Sequence, residues 1–504
     1  MDISPFPEDY RGSGLLLHVT SLPTRYGIGD FGPAALTWID RLAASGQKVW
    51  QVLPLGPMGA GNSPYQLVST FAGNEFLISP DDLIKDGLLL PSECEGCSFP
   101  AEQVDYEAVK RFKNELHEQA WQRFLTSAPA GLRDAFERFC RDEAGWLDEY
   151  ALFVSLQQWL GRESFLEWPD VFAKRDPGAL ADARRELAER TDRVRFGQFL
   201  VFRQMTQMRT YANSKGVQLI GDMPCFAAPN SCDVWANPEF FLLDPYFRPT
   251  VVAGVPPDYF SPDGQLWGNP IYHWEAMRED GYRWWIRRFR TLLQSVDVVR
   301  LDHFRAFAAA WHIPATAETA MVGEWLPGPG AEFFETIRQG FGGLPFLAED
   351  LGMITPDVTA LKDQFQLTGM RVLQFAFDGD ADNPFLPQNF DHNTVAYTAT
   401  HDNNTTRGWY EEMSQKHRNL VWRGLNQAEL KATAVAPEMI RHVWASNAAL
   451  AVTPFQDVIN LGAESRMNTP GKAEGNWGWR CTAEMLEPAN FVRLRALTSA
   501  TGRC

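Results

Sequence analysis

The chain has 504 residues, of which 45% are apolar and 22% charged, the composition of a globular protein that can bury a large core. Its 63 acidic residues outnumber the 46 Lys and Arg residues, which gives a net charge of −17. Nucleic acids and anionic membranes attract excess positive charge, so we expect neither as a partner. Seven cysteines form an odd and sparse set that argues against a disulfide framework and indicates a reducing, cytoplasmic location.

Neither a secretion signal nor a membrane-spanning helix is predicted from the sequence. The first residues carry no basic segment followed by an apolar one. The longest uncharged stretch, 49–74, is interrupted by Gly, Pro, Asn, Gln and Ser, so it lacks the continuous apolar character of a membrane span.

Short apolar runs alternate with helical patterns along the chain, which predicts an α/β protein whose parallel strands are buried on both faces. Residues 54–216 hold no comparable run, and from about residue 103 they show an apolar residue every three or four positions, as helices do. We therefore predict one α/β unit over 1–504, with a mostly helical insertion over 55–215 and a further insertion over 224–295. The runs predicted as strands are 15–19, 49–53, 217–220, 296–301, 345–348, 372–377 and 395–400.

Two short motifs resemble ligand-binding signatures but lack the surroundings that such sites need. Residues 27–32 match G-x-G-x-x-G, yet residues 20–26 separate them from the strand and no acid follows at the required distance, so we do not expect a dinucleotide. Cys94 and Cys97 have no second pair and no nearby His, so we do not expect zinc. The sequence predicts neither a cofactor nor a metal.

Four of the predicted strands lead into acidic residues, which are Asp222, Asp302, Glu349 and Asp402. In a parallel α/β barrel, the carboxyl ends of the strands form the face that carries the active site. Arg300 lies two positions before Asp302, so the two side chains point to the same side of their strand. Converging carboxylates suit chemistry at an acetal carbon, where one must be ionised and another must hold a proton.

The four acids would also fit a structural role or a metal site. Each acid could cap a helix or pair with an Arg, and together they could bind a divalent metal, although no metal-binding motif accompanies them. Two rings in loops rich in Gly, Pro and Asn, those of Tyr65 and Trp267, favour a sugar. A sugar packs its apolar face on a ring and presents its hydroxyls to amides and carboxylates.

A series of motifs spread nearly from end to end resembles the 4-α-glucanotransferases, also called amylomaltases or disproportionating enzymes, of glycoside hydrolase family 77. This family belongs to the α-amylase superfamily. The short strand-end motifs alone would not separate it from the amylases, but the whole series is specific. The motifs lie at 14–23, 26–30, 50–56, 63–66, 71–74, 221–224, 233–238, 254–260, 267–270, 300–305, 348–352, 400–403, 466–468 and 474–477.

The resemblance implies a single catalytic (β/α)8 TIM barrel with inserted, largely helical subdomains and no C-terminal β-sandwich. It implies that Asp302 is the nucleophile that forms a β-glucosyl-enzyme, that Glu349 is the general acid/base, and that Asp402 stabilises the transition state. Arg300 would keep Asp302 ionised, and His401 would donate to the same sugar. The other residues that the resemblance places in glucan binding are Ser63, Tyr65, Asp222, Asp258, Gln265, Trp267, Asp378 and Asn468.

The implied reaction moves α-1,4-glucan segments from malto-oligosaccharides, amylose, starch or glycogen to the 4-hydroxyl of another glucan or of glucose, in a monomer or weak homo-oligomer. An amylase-type hydrolase and a glucan-binding protein without activity are the alternatives, and the three retained carboxylates disfavour the second. The segment 254–272, with Tyr259, Phe260 and Trp267, is predicted to be a lid loop that excludes water. Asn404 stands where the family usually has an acid, and 58–62 and 223–227 also depart from its pattern.

Overall fold

The computed structural model describes residues 5–257 and 261–504, and its strands form two sheets. Eight parallel strands make the larger sheet, and four antiparallel strands make the smaller one. In chain order the strands are β1 (Gly12–Leu16), β2 (Val49–Gln51), β3 (Gln218–Met223), β4 (Val251–Val255), β5 (Gln265–Pro270), β6 (Val298–Leu301), β7 (Ala309–Pro314), β8 (Glu324–Pro327), β9 (Phe346–Ala348), β10 (Gly369–Val372), β11 (Thr394–Tyr397) and β12 (Leu450–Pro454).

The larger sheet is a barrel with the strand order β10-β11-β12-β1-β2-β3-β6-β9, and each neighbouring pair is parallel. A parallel bridge between Leu347 and Thr368 joins β9 to the residue before β10 and closes the ring. The Ala348 N–H donates to the Thr368 carbonyl at 2.9 Å across this seam. Nearly every barrel residue is buried, as the continuous apolar runs predicted. The predicted (β/α)8 barrel is confirmed.

Strand β1 spans Gly12–Leu16 rather than the predicted 15–19, and two further barrel strands differ more from the sequence prediction. The run 372–377 was predicted as a strand, but β10 ends at Val372 and a 3-10 turn follows over Leu373–Phe375. Strand β12 was not predicted at all. It holds the β-branched residues Val452 and Thr453, so its composition was an available signal, and it ends in Pro454, which cannot donate a ladder hydrogen bond and is tolerated because it is the last residue.

Helices surround the barrel and also fill the long stretch between β2 and β3. Within that stretch, Asp105 caps α3 by accepting from the Ala108 N–H at 3.0 Å. Helices α4 and α7 pack through the rings of Phe139 and Phe199, 5.9 Å apart. The helices are α1 (Pro33–Ala44), α2 (Pro80–Lys85), α3 (Tyr106–Ser127), α4 (Ala130–Leu160), α5 (Asp170–Ala173), α6 (Pro177–Glu186), α7 (Ala188–Ser214), α8 (Cys232–Ala236), α9 (Trp274–Glu279), α10 (Arg283–Leu293), α11 (Gly330–Phe341), α12 (Pro356–Gln364), α13 (Thr406–Glu411), α14 (Gln415–Gly424), α15 (Ala432–Ala445), α16 (Phe455–Val458) and α17 (Val492–Ala500).

The smaller sheet has the order β5-β4-β7-β8 and contains much of the segment predicted as a lid loop. Strand β5 and the end of β4 lie within 254–272, so a large part of this segment is paired strand rather than loop. The β-branched run at 250–252 favours the strand, but its short length did not distinguish it from a loop. The division of the chain at 55–215 and 224–295 into inserted subdomains stays a prediction.

Two further sequence predictions concern membrane-spanning helices and three residues of the lid segment. Within 5–257 and 261–504, no helix has both the length and the apolar character needed to cross a membrane. Asp258, predicted to bind glucan, and Tyr259 and Phe260, predicted to cover the site, lie outside the described residues.

Candidate active site

Arg300 bridges two of the strand-end acids at the carboxyl end of the barrel. Strand β6 carries Arg300, and its register partner on β3 is Asp222. From Nη1, the guanidinium donates to both carboxylate oxygens of Asp222 at 2.8 Å and to Oδ1 of Asp302 at 2.9 Å. Burial opposes the charge of Arg300, but the two carboxylates raise its pKa well above the usual value. A permanent cation therefore lies against Asp302, as the i, i+2 spacing predicted.

Glu349 follows β9, and two main-chain N–H groups bind its carboxyl. Its Oε2 accepts from the His303 N–H at 2.9 Å, and its Oε1 accepts from the Leu351 N–H at 3.0 Å. Burial raises the pKa of Glu349 well above its usual range, and the neighbouring Asp302 adds to this effect, while Arg300 opposes it. The carboxyl of Glu349 is thereby kept protonated towards neutral pH.

The pKa of Asp302 is also raised, by burial first and then by the carboxylates of Asp222 and Asp402. Arg300 opposes this rise through its direct hydrogen bond, a contact that Glu349 does not share. Because the cation touches Asp302 itself, Asp302 is the first of the coupled pair to lose its proton. The site can therefore hold one ionised and one protonated carboxyl, and these are the two protonation states that a reaction at an acetal carbon needs.

Asp402 lies in the loop after β11, with nearly half of its side chain exposed to the cleft. The amide of Asn468 donates to Asp402 Oδ1 at 2.6 Å, and the Nε2 of His401 lies 3.3 Å from Oδ2. Arg466 donates to the Asp402 main-chain oxygen at 2.7 Å. This loop and the segment 466–468 thus hold the third carboxylate in a fixed orientation while one side stays open.

Tyr65 connects the two sides of the site. Its hydroxyl donates to Asp222 Oδ2 at 2.7 Å and lies 2.9 Å from His401 Nε2, while its ring stacks on the imidazole at 5.2 Å. Burial lowers the pKa of His401, so the ring is neutral, and a hydroxyl that donates to Asp222 must accept from Nε2–H. Ser63 supports this arrangement because its Oγ accepts from the Tyr65 N–H at 3.2 Å.

Trp267 and Gln265 lie together on β5, close to the residue that follows Asp302. The Trp267 Nε1–H donates to Gln265 Oε1 at 3.1 Å. The Trp267 ring meets the imidazole of His303, the residue after Asp302, edge to face at 4.7 Å. Strand β5 therefore brings both predicted binding residues next to the end of β6.

Among the predicted site residues that the structure describes, Asp378 lies apart from the others. It follows β10, so it lies on the carboxyl-end face of the barrel, but its hydrogen bonds stay within its own loop. The Asp380 N–H and the Asn383 amide both donate to it at 2.9 Å, and the first of these lowers its pKa most. Asp378 is thus an ionised, exposed carboxylate at the rim.

Sequence reasoning missed three residues that form the walls of the site. Trp477 lies 5.7 Å from Tyr65 and 6.0 Å from His401, ring to ring, and its place in the 474–477 motif was the available signal. His18, after β1, and Arg466 line a cavity beside His401. Burial lowers the pKa of His18 to about 3. Nothing in the spacing of these residues marked them, because each reaches the site through a loop.

Asn404, the residue that departs from the family pattern, lines the same cavity. Its side chain is buried, and its main-chain oxygen accepts from the amide of Gln374 at 3.0 Å. The substitution leaves the contacts of Asp302, Glu349 and Asp402 described above intact.

Three carboxylates at the ends of barrel strands, one of them paired with Arg and another kept protonated, are an arrangement that suits an enzyme acting on glycosidic bonds. The model of the 4-alpha-glucanotransferase family matches residues 17–485. The 4-alpha-glucanotransferase of Synechocystis sp. is 45% identical over 98% of each chain, and that of Thermus thermophilus is 45% identical over 98% of this chain and 99% of its own.

A solved structure agrees with these relatives. The amylomaltase of Streptococcus agalactiae, in complex with acarbose, superposes with a TM-score of 0.94 at 35% identity, over 98% of this chain and 99% of its own. The chain belongs to the 4-alpha-glucanotransferase family. The resemblance predicted from the sequence motifs is confirmed, and membership of this family favours glucan transfer over the amylase-type hydrolase.

Proposed function

We propose that the enzyme transfers α-1,4-glucan segments to the 4-hydroxyl of an acceptor glucan or of glucose by a retaining double displacement. The observation that carries this proposal is the Arg300 guanidinium, 2.9 Å from Asp302, next to a Glu349 whose pKa is raised by burial. One ionised nucleophile and one protonated acid are the two groups that the first step requires.

In the first step, Glu349 gives its proton to the glycosidic oxygen while an oxygen of Asp302 attacks the anomeric carbon. The bond from that carbon to the glycosidic oxygen breaks, and the donor's remainder leaves with a 4-hydroxyl. The glucan segment is then esterified to Asp302, and Glu349 is left ionised. Asp402 and His401 bind hydroxyls of the sugar at the cleavage point. Because Asn468 fixes the orientation of the Asp402 carboxylate, these contacts can strengthen in the transition state.

In the second step, Glu349 takes the proton of the acceptor's 4-hydroxyl, whose oxygen attacks the same anomeric carbon. The ester bond to Asp302 breaks, and a new α-1,4 bond forms after two inversions. Water attacking in place of the acceptor would give hydrolysis, so transfer depends on acceptor positioning and on exclusion of water.

The remaining predicted residues bind the glucan chain in this mechanism. Tyr65, with Ser63 behind it, forms one wall at the cleavage point, and Trp267 with Gln265 forms the other. Asp378 meets the chain at the rim, as an exposed carboxylate suited to hydroxyl groups. The binding role of Asp258 remains a proposal that rests on the family resemblance. The lid function of 254–272 remains a proposal that rests on the Gly, Pro and aromatic residues of the segment and on the place of Trp267.

We further propose that the enzyme works as a monomer or weak homo-oligomer in a reducing, cytoplasmic compartment. All seven cysteines have free thiols, four of them buried where an added disulfide partner would not reach.

Incubation with pure maltotriose, followed by chromatography, tests the activity. Transfer produces glucose together with maltopentaose and longer chains, whereas hydrolysis produces glucose and maltose only. Asp302→Asn should abolish both reactions, because both pass through the same ester. The matched control is Asp170→Asn, an exposed carboxylate on α5 that pairs with Lys174, and it should retain full turnover. If the wild type gave only maltose and glucose, the assigned activity would be hydrolysis rather than transfer.

A further inference from the structure

His303 has a backbone conformation that residues with side chains rarely adopt. Its φ of 48° and ψ of 51° are left-handed, directly between Asp302 and a 3-10 turn over Phe304–Phe307. For a residue other than Gly this conformation is strained, and it persists only where the surroundings hold it in place. The contacts of His303 show both what holds it and what it holds in turn.

The main chain at His303 fixes Glu349. The His303 N–H donates to Glu349 Oε2 at 2.9 Å, and the next N–H, that of Phe304, donates to the Glu349 main-chain oxygen at 3.2 Å. The turn that starts at His303 thus holds Glu349 at its carboxyl and at its backbone. The other carboxyl oxygen is held from its own side by Leu351.

The imidazole of His303 packs against aromatic rings. It meets Trp267 edge to face at 4.7 Å and an interplanar angle of 86°, and it lies 6.5 Å from the ring of Phe226. Its Nε2 is buried and has no hydrogen-bond partner in the described part of the chain. Burial lowers the pKa of His303 to about 4, helped by Arg305, so the ring is neutral and acts through packing.

We propose that His303 is a positioning residue that couples Trp267 on β5 to the carboxyl of Glu349. Trp267 fixes the ring, the ring fixes the left-handed backbone, and that backbone aims the N–H at Oε2. A glucan packed against Trp267 then stabilises the orientation of the acid/base as well as its own binding. This inference rests on the proposed role of Glu349.

The coupling has a signature in the pH profile. A hydrogen bond donated to a carboxylate favours the ionised form, so losing the His303 N–H raises the pKa of Glu349. An acid that must be protonated then stays active to higher pH, and the alkaline limb of kcat/KM moves upward. The charged groups that face Glu349 from the neighbouring elements stay in place in these variants. They are Arg300 on β6, Asp302 directly after β6, and Asp350 beside Glu349. Asp350 in turn pairs with Lys362 on α12 and Arg371 on β10.

The test compares two substitutions at His303 that differ in backbone preference. His303→Gly keeps the left-handed conformation and the N–H but loses the ring, whereas His303→Val disfavours that conformation. We expect the Val variant to lose at least about tenfold in kcat and to move the alkaline limb up by about half a pH unit, a part of what acid/base catalysis contributes. The Gly variant should move the limb little and mainly raise KM.

A matched control separates this effect from general strain. Gln366 has a φ of 51° before β10, at the opposite end of the barrel strands from Glu349. Gln366→Val and Gln366→Gly therefore change backbone preference in the same way, and neither should move the pH profile. If His303 had a purely structural role, His303→Val would lower the melting temperature, as Gln366→Val would, and would leave the alkaline limb unchanged.

A double-mutant cycle tests whether Trp267 acts on Glu349 through His303, and it does not require a folded His303→Val variant. Trp267→Ala should move the alkaline limb upward in the wild-type background and leave it unmoved in the His303→Gly background, where no ring remains to transmit the change. Equal shifts in both backgrounds, or no shift in either, would overturn the coupling. Glu349→Gln, assayed alongside, tests the acid/base role of Glu349 separately from the coupling through His303. Full activity there would overturn the acid/base role, and His303 with it, whereas lost activity with additive shifts would overturn the His303 link alone.

Discussion

Arg300 donates from a single nitrogen, Nη1, to both carboxylate oxygens of Asp222 at 2.8 Å. Both side chains are almost fully buried, so the pair is a buried ion pair on neighbouring strands rather than a surface contact. The same nitrogen reaches Asp302 at 2.9 Å. One cation therefore offsets two carboxylates, and the ionisation of Asp302 depends on a residue that need not touch the substrate.

Replacing Arg300 with Gln should affect both activity and stability. Without the cation, Asp222 and Asp302 repel each other in a buried setting, so the pKa of Asp302 rises further. The nucleophile then ionises only at higher pH, and the acid limb of kcat/KM moves upward. Removing one partner of a buried pair also costs about 3–5 kcal/mol in the free energy of unfolding.

The pH–rate profile and chemical denaturation of the Arg300→Gln variant measure the two effects separately. Arg338→Gln, which removes an exposed guanidinium from α11, is the control and should change neither. An acid limb that stays in place in Arg300→Gln would show that Asp302 does not depend on this cation.

Glu349→Gln should flatten the alkaline side of the pH profile of the residual activity. The pKa of Glu349 is raised by burial and by Asp302, so activity that needs the protonated form is lost as pH rises through that pKa. Gln does not titrate, so that loss disappears together with most of the rate. Glu335→Gln on α11 is the matched control, since it removes an exposed carboxylate. A bell-shaped profile that survives in Glu349→Gln would assign the acid role to another group.

The separation of the two carboxyls predicts the stereochemistry. A retaining pair lies about 5–5.5 Å apart, and an inverting pair lies about 6.5–9.5 Å apart, with room for a water between them. We expect Asp302 and Glu349 at the shorter separation in a crystal structure with bound oligosaccharide, and products of the α configuration by NMR at early times. β-Configured products would contradict the double displacement.

Trp267→Ala should lower the ratio of transfer to hydrolysis more than it lowers total turnover. The ring lies beside the end of β6, where it can cover the glucosyl-enzyme and help the acceptor compete with water. Long-chain products measured against new reducing ends give the ratio. Trp159→Ala, at a partly exposed ring on α4, is the control. A parallel fall of both reactions in Trp267→Ala would make Trp267 a binding residue without a role in excluding water.

The sequence predicted the parts of the site that depend on strand geometry. Arg300 and Asp302 share a face because they are two residues apart, and the acids at the ends of β3, β6 and β9 meet because parallel strands end at one face. The barrel followed from the same apolar runs, except for β12 and for β10, which ends where the predicted run 372–377 begins. The run 450–453 in β12 has the apolar and β-branched residues of a strand, and β1 and β11 pair with it.

Contacts made through loops could not be predicted from spacing. The stack of Tyr65 on His401 joins residues far apart in the chain, and Trp477 completes it from a third segment. The left-handed residue His303 packs against the ring of Trp267 on β5, which only the folded chain brings near. The segment 254–272 was likewise predicted as a lid loop, although β5 and the end of β4 lie within it, and β4 gains its second partner, β7, from a distant part of the chain.

The central claim is that a glucan ester forms on Asp302, and mass spectrometry of the trapped enzyme tests it most directly. The Glu349→Gln variant is incubated with α-maltosyl fluoride, whose leaving group needs no acid, so the first step proceeds while the second lacks its base. We predict that the intact chain gains the mass of one maltosyl unit and that the adduct maps to Asp302. The mass should stay unchanged in the double variant Asp302→Asn, Glu349→Gln. An unmodified chain that still consumes the fluoride, or an adduct on another residue, would contradict the proposed mechanism.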